Sequence, residues 1–263
     1  MRRFEGRNVI VTGATGGIGR AIVAAFLAEG ASVLGFGSRE ESAAVLREAL
    51  GHERLAVAAL DLRDRDAIAA AAREAVAAMG RVHVLVNCAG VAFEVPVLDI
   101  RGAQWDEVIA VNLTAPFVLS QEMARHMVAS GGGCIVNVSS VDAFIAESPY
   151  ADYNASKAGL SMLTRSMAFE LGHLGVRVTA VAPGATVTPM LEGGFEDGVY
   201  RRYMDITPAK RYATPEEQAN VVLFLASDEA SYVNGVTVRV DGGMLQGFWA
   251  DPRLDPPLPA GPI

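Results

Sequence analysis

Cysteine and lysine are both nearly absent from this chain of 263 residues, at two of each. Cys88 closes one apolar segment and Cys134 opens another. In a parallel sheet those places lie at opposite ends, far beyond the ~7 Å that bridgeable Cα atoms tolerate. No disulfide is expected, and both thiols read as small buried hydrophobes; no metal site is expected either. The formal charge is −8 and no stretch gathers Lys and Arg into a stripe, which excludes a phosphate-backbone partner and hence nucleic acid. No apolar run approaches the ~20 residues that cross a bilayer. The charged start Met1–Arg7 has no apolar stretch behind it and does not read as a signal peptide. These absences predict a soluble, cytoplasmic protein that meets small molecules rather than membranes or nucleic acid.

What is abundant is apolar, 51% of the residues, with few aromatics. Seven short β-rich runs alternate with Ala-rich helical patterns: Asn8–Thr12, Ser32–Phe36, Leu55–Leu60, Val82–Asn87, Cys134–Ser139, Arg177–Val181 and Val236–Val240. Runs without polar alternation belong to strands covered on both faces, and the intervening helices supply the crossovers. The fold expected is α/β: a single doubly wound Rossmann-type domain with a seven-stranded parallel sheet, over residues 1–247. Residues 248–263 form a tail with five prolines from Asp251 onward, expected to dock on the body or across a subunit boundary because proline lowers the entropy lost on ordering. Val141–Pro149 and Pro189–Tyr212 lack periodicity, follow strand ends and read as substrate loops.

The first strand runs into Thr12-Gly13-Ala14-Thr15-Gly16-Gly17-Ile18-Gly19 and then a helix. Glycines let backbone approach a pyrophosphate, and the helix N-terminus behind them offers free N–H groups. The spacing T-G-x-x-x-G-x-G is similar to that of the short-chain dehydrogenase/reductase family. The resemblance continues through Asp61-Leu62, Asn87-Cys88-Ala89-Gly90 (where Cys88 departs from the family's N-N-A-G), Asn112, Ser140, Tyr153-Asn154-Ala155-Ser156-Lys157 and Pro183-Gly184. It implies a nicotinamide dinucleotide held by Gly13, Thr15, Gly16, Gly17, Ile18, Gly19, Asp61, Leu62, Asn87, Ala89, Gly90, Tyr153, Lys157, Pro183, Gly184, Thr186 and Thr188. It further implies hydride transfer between cofactor and a carbonyl/alcohol pair, and a homotetramer or homodimer.

Cofactor choice rests on the end of the second strand, where an NAD enzyme places a carboxylate on the ribose hydroxyls. Gly37-Ser38-Arg39 stands there instead. A hydroxyl followed by a guanidinium suits a 2′-phosphate, so Ser38 and Arg39 favour NADP, with NAD the alternative.

Carbonyl reduction needs a proton donor at the carbonyl oxygen and a second group to polarise it. Tyr153 and Lys157 are four apart at helical spacing and share one face. With six tyrosines and two lysines in the chain, such a pair arises by chance in only a few per cent of shuffled sequences. An otherwise Arg-using chain has Lys where a compact ammonium is needed. The resemblance adds Ser140, thirteen residues before the tyrosine, and Asn112 as the link in a proton relay. The loops offer Asp142, Glu147 and Tyr150 on one side and Met190, Glu192, Phe195, Tyr200 and Tyr203 on the other, which lean towards a small sugar- or polyol-like substrate. The alternatives are a 3-oxoacyl thioester reductase of the acyl-carrier-protein type and a non-catalytic dinucleotide-binding sensor.

Overall fold

The computed structural model describes residues 2–188 and 199–247. Its centre is a seven-stranded, all-parallel sheet in the order β3-β2-β1-β4-β5-β6-β7. The strands are β1 (Asn8–Thr12), β2 (Ser32–Gly37), β3 (Leu55–Ala59), β4 (Val84–Asn87), β5 (Gly133–Val138), β6 (Val176–Pro183) and β7 (Thr237–Val240). Between them run α1 (Gly17–Ala28), α2 (Glu40–Leu50), α3 (Arg65–Met79), α4 (Gly102–Ile109), α5 (Ala115–Ala129), α6 (Ala151–Leu171), α7 (Val199–Ile206) and α8 (Pro215–Ala226).

The alternation of side chains along each strand builds two cores. In β1, Val9 and Val11 face one layer with Ile22, Phe26 and Leu223 of α1 and α8. Ile10 faces the other, with Ile68, Leu119 and Met123 of α3 and α5. The two-residue period makes every central strand apolar throughout, because both of its faces are covered. The order of the sheet reverses direction between β1 and β4, and a crevice opens beyond their carboxyl ends, where open α/β sheets bind ligands.

Two expectations need correction. The fourth strand begins at Val84 rather than Val82, because the Val82 N–H is taken by His126 Nε2 at 3.1 Å instead of a neighbouring strand. The segment Pro189–Tyr212 is not all loop: α7 occupies Val199–Ile206. Val199, Tyr203 and Ile206 do fall at helical spacing, but over a run too short to stand out as a period. Met190, Glu192, Phe195 and the proline-rich tail of residues 248–263 lie outside the described residues.

Histidine ring nitrogens fasten the amino-terminal side of the sheet. His83 Nδ1 accepts the Asn8 N–H at 3.0 Å, and burial, followed by the charges of Arg81, Arg7 and His126, holds its pKa below the ordinary 6.5. The folded protein therefore resists a proton that the unfolded chain accepts near 6.5. Stability is full above that value and falls as the pH drops below it. The melting midpoint should fall between about pH 7.5 and about pH 5.5, and fall less in His83→Gln; an equal fall in the variant would clear the imidazole of the effect.

Candidate active site

The turn after β1 is held open by contacts that only glycine permits. A Cβ on Gly13, whose φ is +65°, would stand 2.7 Å from Ala89 Cα, and one on Gly19 would stand 2.0 Å from Gly13 O. Thr12 Oγ1 accepts the N–H groups of Cys88 (3.1 Å) and Ala89 (3.3 Å), tying the ends of β1 and β4 together. Behind the turn, α1 starts at Gly17 with no side-chain cap and no acidic residue in its first turn. An uncapped helix end with a positive dipole is a receptive place for a pyrophosphate, so the chain fits a dinucleotide here.

Other residues expected to touch the cofactor divide by what their side chains already do. Asn87 is buried, and its Nδ2 donates to Ser120 Oγ (2.9 Å) and Asn137 Oδ1 (2.8 Å), joining β4 to α5 and β5. The Asp61 carboxylate holds the Arg63 guanidinium at 2.9 and 2.8 Å, and these hydrogen bonds bring its pKa down to about 2. Leu62 lines the crevice with Thr12, Asn87 and Ala89. Thr186 donates to Gly184 O (2.9 Å) and accepts from Gln218 Nε2 (3.1 Å), so its hydroxyl braces the turn after β6. Gly184 belongs to that same turn, pressed on Asp241, while Pro183 ends β6 and Thr188 is half-buried at the edge of the described residues. At the end of β2, Ser38 and Arg39 are exposed. A Cβ on Gly37 would meet Thr15 Cγ2 at 2.8 Å, so a ribose-binding carboxylate at position 37 requires Thr15 to rotate away.

The catalytic candidates converge beyond β4 and β5. Helix α6 presents Tyr153 and Lys157 one turn apart, with Lys157 Nζ 5.4 Å from the Tyr153 ring centre. Lys157 is buried, and its ammonium donates to Val138 O at 3.0 Å. A Cβ on Gly90 would lie 3.3 Å from Lys157 Nζ and 3.5 Å from Asn112 Oδ1, which is why this position suits glycine. Asn112 sits in a π-helical turn, Ala110–Thr114, between α4 and α5, a distortion common at functional sites. Its side chain clamps Val91 through two 2.9 Å bonds and reaches Ser156 Oγ at 3.1 Å. Ser139 is spent on Lys157 O and Ser161, leaving Ser140 as the hydroxyl that faces Tyr153.

Electrostatics qualify the simple picture of a phenol made acidic by its lysine. Burial raises the Tyr153 pKa, the Asp142 carboxyl raises it further, and contact with Ser140 lowers it. Burial brings Lys157 down to about 8, against the favourable charge of Asp142. The protein alone thus holds the phenol protonated, the state in which it donates to a carbonyl oxygen. Cys88, half-buried near Lys157, has its thiol pushed up to about 12 by desolvation and is no nucleophile.

Asp142, Glu147 and Tyr150 all lie on the Tyr153 side of the cleft. Ser140 Oγ donates to Asp142 Oδ2 at 2.9 Å, Tyr150 Oη donates to Glu94 Oε1, and the rings of Tyr150 and Tyr153 meet edge to face, 6.4 Å apart. Two residues escaped the sequence reading. Asp152 is fully buried and accepts the Tyr153 N–H and Gln104 Nε2, both at 2.8 Å, which fixes the start of α6. Glu94 is 56 residues from its partner, and no local pattern signals such a contact. An acidic residue in the first turn of a helix is the one signal that could have revealed Asp152.

A family profile described as "Enoyl-(Acyl carrier protein) reductase" matches residues 13–245. Among curated proteins, the chain is 39% identical to a 3-oxoacyl-[acyl-carrier-protein] reductase of Thermotoga maritima, covering 92% of this chain and 99% of that one. It is 41% identical to a galactitol 2-dehydrogenase (L-tagatose-forming) of Cereibacter sphaeroides, over 92% and 96%. The chain belongs to the short-chain dehydrogenase/reductase family. Among solved structures, a putative NAD(P) dependent gluconate 5-dehydrogenase from Beutenbergia cavernae, with NADP bound at low occupancy, superposes with a TM-score of 0.86 at 39% identity, over 92% and 98% of the two chains. As a short-chain dehydrogenase/reductase the protein is an oxidoreductase with a Rossmann-type fold and hydride-transfer chemistry. Among the described residues no helix is long and apolar enough to cross a membrane, and no three His, Cys, Asp or Glu side chains gather as metal ligands.

Tyr153→Phe keeps the ring and its packing and removes only the hydroxyl. Turnover should drop more than ~100-fold, the lower bound for a positioned acid, while reduced dinucleotide still binds as in the wild type by fluorescence titration. A variant that keeps a third of the turnover would remove Tyr153 from the chemistry.

Proposed function

We infer that the protein interconverts a secondary alcohol and its ketone on a small polyhydroxylated molecule, with NADP preferred over NAD. The observation that carries the substrate class is the acidic lining beside the reacting phenol: Asp142 and Glu147 within electrostatic reach of Tyr153, and Glu94 hydrogen-bonded to Tyr150. Carboxyl groups so placed can exchange hydrogen bonds with the hydroxyls of a sugar or polyol, and a galactitol dehydrogenase is among the relatives.

The glycine turn, the first turn of α1, Ser38, Arg39 and Lys157 are the groups that would hold the dinucleotide, which when bound gives or takes the hydride. Tyr153 moves the proton at the substrate oxygen. Lys157 orders the site through Val138 and, while it holds its proton, favours the phenolate when an alcohol is oxidised. Asn112 fixes the loop at Val91 that leads away from β4. The Arg39 guanidinium is exposed and carries no ion-pair partner among the described residues, a free fork suited to a 2′-phosphate. Exposed Trp105, Phe117 and Phe169 on α4, α5 and α6 are surfaces that a homodimer or homotetramer would cover.

A thioester reading has its own support. Phe144 and Ile145, on the loop that carries Asp142 and Glu147, are 43% and 40% exposed, a rim on which an acyl chain could lie, and a 3-oxoacyl reductase is among the relatives. A panel of polyols, ketoses and 3-oxoacyl thioesters, followed by reduced-nicotinamide absorbance, decides between the two: turnover of thioesters alone would reverse the assignment. Arg39→Leu should raise the KM for NADP at least about tenfold and leave that for NAD within about twofold, as loss of a charge-assisted phosphate contact requires. A wild type that already prefers NAD would overturn the phosphate reading.

A further inference from the structure

The first N–H groups of a helix have no partner within it, and α6 meets that need from inside its own first turn. Tyr150, which precedes the helix, turns its hydroxyl to Glu94 rather than to those N–H groups. Asp152, the second residue of α6, does the work instead: its Oδ1 accepts the Tyr153 N–H at 2.8 Å. Its Oδ2 accepts Gln104 Nε2 of α4, 48 residues away, also at 2.8 Å. Asp152 is fully buried, and a carboxyl out of water is tolerated where donors stand on both of its oxygens. The positive end of the helix favours an acidic group at this place as well.

The consequence falls on the next residue. The Tyr153 backbone is tied to Asp152, Asp152 is tied to α4, and one turn further on Lys157 Nζ is tied to Val138 O of β5 at 3.0 Å. Asn154 adds local bonds, from its N–H to Tyr150 O and from its Nδ2 to Glu147 O, both at 2.8 Å. Those two bind the helix to its own preceding loop, whereas the Gln104–Asp152 bond ties the residue before Tyr153 to a separate helix. The carboxyls that act on the phenol are Asp142 and Glu147, so what Asp152 supplies is place rather than charge. Place is what proton transfer demands: donor and acceptor must stand within about 2.6–3.2 Å, and a shift of about 1 Å can cost ~100-fold in rate.

We propose that Gln104 and Asp152 are positioning residues for the proton transfer: through the Tyr153 backbone they fix where the phenol meets the substrate oxygen, so that α4 sets the geometry of a reaction in which it takes no chemical part. The kinetic statement rests on Tyr153 as the proton-transferring residue and on the alcohol/ketone reading above; the anchoring statement stands on the hydrogen bonds alone. The arrangement requires one acceptor for the Tyr153 N–H and one donor–acceptor pair towards α4. A negative charge at position 152 is not part of the requirement.

Three readouts on full-length variants test it: hydrogen–deuterium exchange of the peptide that contains Tyr153, dinucleotide affinity by fluorescence, and the kinetics of galactitol oxidation. Asp152→Ala removes both bonds. Exchange at the start of α6 should quicken at least about tenfold. The kcat should fall at least about tenfold while KM and dinucleotide affinity stay within about twofold, the split expected when only the reacting geometry is disturbed. Asp152→Asn keeps an acceptor for the Tyr153 N–H and offers an N–H that Gln104 receives by turning its amide, so kcat should stay within about threefold of the wild type. Gln104→Glu sets two carboxyls face to face and should behave like Asp152→Ala at neutral pH. Adding Asp152→Asn to Gln104→Glu exchanges donor and acceptor and should restore both slow exchange and turnover. Wild-type turnover in Asp152→Ala, a fall in kcat matched by an equal loss of dinucleotide affinity, or a double variant no better than Gln104→Glu would overturn the proposal. Full turnover in Tyr153→Phe would remove the positioning role along with the reading of Tyr153. A wild type inert towards galactitol counts against the polyol reading alone; the same variants are then compared on a 3-oxoacyl thioester, and the exchange rates still decide whether Asp152 anchors Tyr153.

Discussion

Burial of the Lys157 ammonium is the constraint around which this site is built. An amine taken out of water loses solvation that a single carbonyl does not replace, and the Lys157 pKa is accordingly drawn down to about 8. The surroundings answer that cost with dipoles and negative charge: Val138 O accepts its proton, and the Asp142 carboxyl supports its charge. Its small neighbour Gly90 leaves the room. Because Val138 ends β5 and Lys157 lies on α6, the same hydrogen bond fixes α6 at the carboxyl edge of the sheet and so places Tyr153 over the cleft.

The parts legible in the sequence are those in which one local rule is enough. The strands announced themselves as short apolar runs because both faces of the sheet are covered, and the glycine turn because its spacing answers a backbone collision between Gly13 and Ala89. Tyr153 and Lys157 were visible because helical geometry alone makes them neighbours. The parts that were hidden depend on distant chain. Glu94 meets Tyr150 only after β4, α4, α5 and β5 have folded, and Asp152 owes its burial to Gln104 of α4. The adjacent serines show the same division. Spacing relative to the tyrosine distinguished Ser140 from Ser139, but only the fold shows that Ser139 is consumed by Lys157 O and Ser161.

Several positions that match the family's cofactor-contacting residues turn out to have side chains occupied in holding the frame. Asn87, Asn112 and Thr186 each spend their polar atoms on neighbours within the protein. Their side chains are thus tied to the shape of the cleft, by linking β4 to β5, the loop after β4 to the α4–α5 junction, and the turn after β6 to α8. Replacing any of them would disturb the frame of the site before it disturbed a ligand contact, because a buried partner left unpaired costs more than the bond itself contributes.

The acidic side of the cleft and the buried lysine pull the phenol in opposite directions. Asp142 and Glu147 add to the desolvation that raises the Tyr153 pKa, while Lys157, when charged, opposes it. If both carboxyls were ionised, two negative charges would stand near the reacting oxygen, and the phenolate needed for alcohol oxidation would be harder to form. Burial and the neighbouring Asp142 raise the Glu147 pKa to about 8, which reduces that negative charge at neutral pH, while the Asp142 charge supports the buried ammonium.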